Sequence, residues 1–145
     1  MECEFPNVNS SSDEIKMILK EAKTIAIIGL SPNPQKDSHR VGKYLQMAGY
    51  KVIPIYPKED YILGERVYRS LADVKGQIDI VDIFRKPEIV NKIVDEAIKR
   101  GGIKVIWTQL GVVNNEAGTK AKEAGMRVVQ NKCTKIEHQM IKGSL

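Results

Sequence analysis

The sequence predicts an α/β protein, built as one doubly wound parallel sheet of about five strands with helices on both faces. Three observations lead there. Short β-branched runs alternate with amphipathic helical stretches along the whole chain. The repeat is roughly 25 residues, the length of a strand–helix unit. The first strand run, "TIAIIG", is continuous and β-branched rather than alternating, as a strand covered on both faces must be. With 145 residues, 42% of them apolar, there is material for one core and not for two. Residues 1–145 therefore read as a single domain, with residues 1–12 as a loose N-terminus.

The elements follow in order. Ser11 and Glu14 form a capping-box pattern ahead of a helix that puts Ile15, Ile18 and Leu19 on one face. "TIAIIG" is the first strand, and "HRVGKYLQMA" the helix after it, with Ser38 as N-cap and Gly49 as its stop. "KVIPIY" is the second strand, and the turn-rich stretch over residues 57–74 should be loop with a short helical turn. "IDIVDIF" is the third strand, and Pro87 suits the first turn of "PEIVNKIVDEAIKR", which Gly101 and Gly102 close. "IKVIWTQ", a helix capped by Asn114, and "MRVVQ" come next; a last helix opens on a second capping box, Thr134 with Glu137. One small chain of this pattern is a Rossmann-like sheet.

Composition narrows the function. The net charge of +5 favours anionic partners, but Lys and Arg are dispersed and no aromatic–basic pattern of a nucleic-acid binder is present, so nucleic acid is not expected. No apolar stretch approaches the roughly 20 residues of a membrane span, and the polar start lacks the charged and apolar regions of a signal peptide. The expected location is cytoplasmic and no membrane contact is expected. Cys3 and Cys133 offer neither a metal-ligand spacing nor a disulfide framework. A second copy of the chain, or another protein, stays open as a partner.

In an open parallel sheet, ligands bind beyond the carboxyl ends of the strands. After the first strand, Gly29 allows a tight turn and Ser31, Lys36 and Ser38 can meet a phosphate at the following helix start, yet the G-x-G-x-x-G triplet of dinucleotide binders is missing. After the second strand the tip reads Tyr56-Pro57-Lys58 where an NAD site has a ribose-holding carboxylate; Glu59 and Asp60 come later and keep an NAD(P) module open. Phe84, Arg85 and Lys86 follow the third strand and can pack against a base and hold phosphate. Thr108, Gln109 and Gly111 follow the fourth, whereas Trp107 reads as core. Cys133 follows the fifth, beside Lys132 at a helix start, with Glu137 and His138 close in sequence, which leaves a small thiol-dependent enzyme as another alternative.

Together, "IAIIGLSPNPQKDSHRVGKYL", "VIPIYPKEDYILGERVYRSLADV", "DIFRKPE", "WTQLGVVNNEA" and "NKCTKIEH" resemble the small CoA-binding proteins of bacteria and archaea, which are similar to the N-terminal CoA-binding domain of the succinyl-CoA synthetase alpha subunit. The resemblance runs from Glu14 to His138. It implies a Rossmann-like fold and CoA or an acyl-CoA as ligand, held without catalysis, no residue being assigned a catalytic role and none a metal. Carried over, Gly29, Ser31, Asn33, Lys36 and Ser38 surround the CoA phosphates and Val41 and Gly42 line the helix start. Tyr56 and Pro57 match the tip where the family has an asparagine–proline pair, Tyr56 being a departure. Phe84 and Arg85 meet the nucleotide end, and Gln109, Gly111 and Cys133 lie toward the pantetheine arm.

Overall fold

The computed structural model describes residues 5–144; Cys3 lies outside them. In chain order the elements are α1 (Ser12–Glu21), β1 (Thr24–Ile28), α2 (Asp37–Met47), β2 (Lys51–Ile55), β3 (Tyr61–Ile62), β4 (Glu65–Arg66), β5 (Ile78–Ile83), α3 (Pro87–Arg100), β6 (Ile103–Thr108), α4 (Asn115–Glu123), β7 (Arg127–Val129) and α5 (Thr134–Ile141), with 3-10 turns at Leu71–Asp73 and Lys142–Ser144. The main sheet runs β2-β1-β5-β6-β7, and all its pairs are parallel. The register sets Ile25 between Val52 and Ile80, and Ile80 beside Val105. The five-stranded α/β reading of the sequence is the architecture observed.

The β-branched runs form strands because both faces of the sheet are covered. On one face Ile25, Ile27, Ile80, Val105 and Trp107 pack with Ile15, Ile18 and Leu19 of α1 and with Val41 and Leu45 of α2. On the other, Ala26, Ile28, Val81 and Ile83 pack with Val90, Ile93 and Val94 of α3, Ala117 and Ala121 of α4, and Leu71. A single buried Ile or Leu removed from water contributes roughly 1.5–3 kcal/mol, so this two-sided burial rather than local propensity holds the strands. The sheet order reverses between β1 and β5: the chain leaves β1 through α2 on one face and leaves β5 through α3 on the other. That divergence opens a crevice at the carboxyl edge of the two central strands.

Four local expectations are corrected. Ser38 does not cap α2. Lys36 holds the cap position with extended backbone (φ −82, ψ 145), and Ser38 is buried one residue inside the helix, accepting the Ser31 N–H at 3.0 Å. The Thr134–Glu137 capping box does not form either. Cys133 holds that cap position, and the Thr134 hydroxyl donates inward to Asp82 at 2.9 Å. The stretch after β2 contains a short antiparallel hairpin, β3–β4, beside its 3-10 turn. The N-terminus is also tied down from Asn7 onward. Asn9 lends its side-chain amide to the edge of β7, donating to Gln130 O at 3.1 Å and accepting Gln130 N–H at 2.9 Å, and Ser10 Oγ donates to Val128 O at 2.8 Å. Polar side chains here do the work of a neighbouring strand, which periodicity does not reveal.

Candidate functional site

The crevice begins at Gly29. Its N–H donates to Ile55 O at 2.9 Å and Phe84 N–H donates to Ile28 O at 2.9 Å, so the β2-β1-β5 ladder continues one residue past the strands. Gly29 has φ +88, and a Cβ there would stand 2.6 Å from Phe84 O. Only glycine allows the chain to turn while the backbone after β5 lies this close.

The loop after Gly29 is shaped by its own side chains. Ser31 Oγ accepts Asn33 N–H at 3.1 Å, Asn33 Oδ1 accepts Gln35 N–H at 2.9 Å, and the His39 ring donates from Nδ1 to Ser31 O at 2.8 Å. Lys36 and Arg85, by contrast, are exposed and line an open cleft of 490 Å³ together with Gly29, Ser31, Asp37, Ser38, Tyr56, Pro57 and Phe84. The carboxylate in that lining, Asp37, pairs with Arg40 at 3.4 Å. A neighbouring cleft of 410 Å³ lies beyond Phe84 and Arg85, against Lys86, Gln109, Leu110 and Val112.

Helix ends carry the electrostatic logic. The first N–H groups of any α-helix lack intrahelical partners and present its positive end. In α1 and α4 a side chain answers them, Ser11 with Glu14 in one and Asn114 in the other. In α2, α3 and α5 none does, and the cap positions are held by Lys36, Lys86 and Cys133. The uncapped end of α2 faces the main cleft, so backbone N–H groups, a helix dipole and two cations meet in one place. That is an anion site in chemical terms.

Not every expected residue faces the crevice. Val41 is in the core, and Gly42 lies on the buried side of α2, where a Cβ would meet Leu30 Cδ1 at 3.0 Å; both belong to helix packing. Gln109 is buried, donating from Nε2 to Asp82 Oδ1 at 2.5 Å and to Thr134 Oγ1 at 3.2 Å. Gly111 takes φ +83 in a turn and donates its N–H to Asn131 Oδ1 at 2.7 Å. Cys133 is half-buried against the apolar cluster under α2. Trp107 is core, as its sequence context predicts, and donates from Nε1 to Lys132 O at 2.8 Å.

Two features at this edge carry no sequence signal. One is Asp82, fully enclosed at the end of β5, whose carboxyl burial pushes up to about 7 against the opposing hydrogen bonds from Gln109 and Thr134. The other is Arg69, whose Nη1 donates to Tyr56 O at 3.1 Å, Lys58 O at 3.0 Å and Glu59 O at 2.9 Å and so fixes the β2 tip. The alternatives fare differently from the crevice. Glu59 and Asp60 stand outside the cleft lining. His138, instead of answering Cys133, is bonded through Nδ1 to Tyr44 Oη at 2.7 Å and sits edge-on to Tyr44 and Tyr50; burial, then Lys142, lowers its pKa. Among the described residues no cluster of three or more His, Cys, Asp or Glu could hold a metal, and no helix is long and apolar enough to cross a membrane.

A third cleft, of 330 Å³, lies at the opposite edge of the sheet and includes Glu21, Asp79, Lys104 and Arg127. Burial raises the Asp79 pKa, but hydrogen bonds from Lys23 N–H, Gln77 and Thr24 N–H, with the charge of Lys104, outweigh it and lower the pKa overall. The carboxylate is thus already satisfied, and the end of α1 that reaches this cleft is its negative one.

Comparison with known proteins places the molecule. The family model described as CoA binding domain matches residues 23–139. YneT, an uncharacterized protein of Bacillus subtilis (strain 168), is 41% identical over 134 residues, covering 92% of this chain and 98% of that protein. An ADP-forming acetate–CoA ligase of Methanocaldococcus jannaschii is 35% identical over 108 residues; the match takes in 72% of this chain but 15% of the ligase. Among solved structures, a hypothetical protein from Pyrococcus horikoshii OT3 superposes with a TM-score of 0.89 at 40% identity, covering 99% of this chain and 100% of that one.

Proposed function

Since the chain belongs to the CoA-binding domain family, we propose that it binds CoA or an acyl-CoA at the carboxyl edge of β1 and β5. The observation that carries this reading is the cleft where the uncapped start of α2 meets Lys36 and Arg85 beside Gly29. The pyrophosphate lies against the first N–H groups of α2, where the helix dipole and two cations offset its charge. Ser31 and Asn33 hold the loop in the shape that presents those groups, and the Ser31 hydroxyl keeps its proton for a phosphate oxygen. Tyr56, Pro57 and Phe84 offer flat apolar surface to the nucleotide. The pantetheine arm runs along the second cleft past Gln109 and Leu110, toward the turn at Gly111 and the edge where Cys133 stands. The groups presented are cations, hydroxyls and backbone amides, which hold an anion; the reading is therefore of binding rather than turnover.

The double variant Lys36→Ala with Arg85→Ala tests it. Both side chains are exposed and neither is in the core, so the melting temperature should stay near that of the parent while CoA affinity falls by about tenfold or more. Calorimetric titration of both proteins reads this directly, and unchanged CoA affinity refutes the assignment.

A further inference from the structure

A smaller cavity of 190 Å³ opens beside the main cleft on the α3 face of the sheet and shares Tyr56, Pro57 and Arg85 with it. Its floor is apolar, made by Ile28, Ile55, Leu71 and Ile93. Its rim is cationic. Arg69, Arg85 and Lys92 all line it, and among the described residues none of the three has a carboxylate within ion-pair distance, although Glu96 lines the same cavity one turn after Lys92. Arg69 is also held in place: its Nη1 is bonded to three carbonyls of the β2 tip, so the guanidinium is fixed before any ligand arrives. Three unpaired cations against the one carboxylate of Glu96 leave this rim net positive, and over a small apolar floor they favour a compact, multiply charged anion.

We propose that this cavity is a phosphomonoester subsite that takes the ribose 3′-phosphate of CoA. The inference rests on the CoA reading above and deepens it. CoA carries two separate anionic groups, a pyrophosphate on the 5′ side of the ribose and a monoester on its 3′ oxygen. The α2 start with Lys36 answers the first. The monoester carries a charge of about −1.5 to −2 at neutral pH and presents three acceptor oxygens, which calls for more than one cation and suits the planar fork of an arginine. The two sites are contiguous through Tyr56, Pro57 and Arg85, so one ribose at the β2 tip reaches both. Arg69 and Lys92 thereby become specificity-determining residues: they distinguish CoA from the same molecule without its 3′-phosphate.

Calorimetric titration with CoA and with dephospho-CoA separates the claims. The parent protein should bind CoA about tenfold more tightly than dephospho-CoA. Lys92→Gln, an exposed change on α3, should remove most of that preference by weakening CoA and not dephospho-CoA, and Lys92→Arg should restore it. Equal affinity of the parent for the two ligands overturns the subsite and leaves the CoA reading standing. Failure of the parent to bind either ligand overturns both. A preference that persists unchanged in Lys92→Gln and in Arg69→Lys places the 3′-phosphate elsewhere and also overturns the proposal.

Discussion

Asp82 shows how one side chain can set the response of the fold to pH. Its carboxyl is enclosed at the end of β5 and is held at about 7 when folded, against roughly 4 in an unfolded chain. Between those values the folded state keeps the proton and the unfolded state releases it, so this group lowers stability as pH rises from about 4 to about 7. Glu14 and Asp79, with lowered pKa values, and His138, lowered by burial, work in the opposite direction, so the measurement must be a difference. Asp82→Asn can still accept the Gln109 amide and can donate to the Thr134 hydroxyl. Its melting temperature should exceed that of the parent at pH 8 and the gap should close at pH 5; parallel pH profiles would show that Asp82 does not titrate in this window. Nothing in "IDIVDIF" distinguishes this aspartate from a surface one. Its burial depends on Gln109 and Thr134, which come from other strand ends, and the same network explains why Thr134 caps nothing and why Gln109 is buried.

At the scale of elements, helix α3 and the strand cores were legible in the sequence because apolar periodicity and Pro87 reflect burial and steric limits that act locally. The ends of α2 and α5 were not. Ser38 and Thr134 have the composition of caps, but the Ser38 hydroxyl accepts the Ser31 N–H of the preceding loop and the Thr134 hydroxyl donates to buried Asp82, distant in sequence, and the helices start one or two residues earlier on Lys36 and Cys133. The N-terminal segment was equally opaque, since its docking on β7 uses side-chain amides instead of a strand pattern. Asn9→Ala removes both bonds to the Gln130 backbone and reopens the sheet edge. A loss of about 1–2 kcal/mol is expected, read as a lower urea midpoint with unchanged slope. An unchanged midpoint would show that the segment adds no stability.

At the scale of the whole molecule, the sheet order decides where the residues of the proposed site gather. The order was not stated by the sequence, but strand–helix alternation requires a carboxyl edge with crossover loops, and Gly29 and Lys36 after β1, Tyr56 and Pro57 after β2, and Phe84 and Arg85 after β5 do meet there. Val41 and Gly42 lie on the inner side of α2, because a helix start has two sides and packing, for Gly42 against Leu30 and Leu63, decides which faces inward. The net charge of +5 assists an anionic ligand at long range without selecting the edge. The selection comes from the uncapped helix starts above the sheet, whereas the cleft below it has a helix C-terminus and an already bonded Asp79. A titration of the ¹⁵N-labelled protein with CoA, followed by amide chemical shifts, tests that placement. The central claim predicts saturable shifts at Gly29, Ser31 to His39, and Phe84 to Lys86; no shifts at saturating CoA, or shifts confined to Asp79, Lys104 and Arg127, would contradict it.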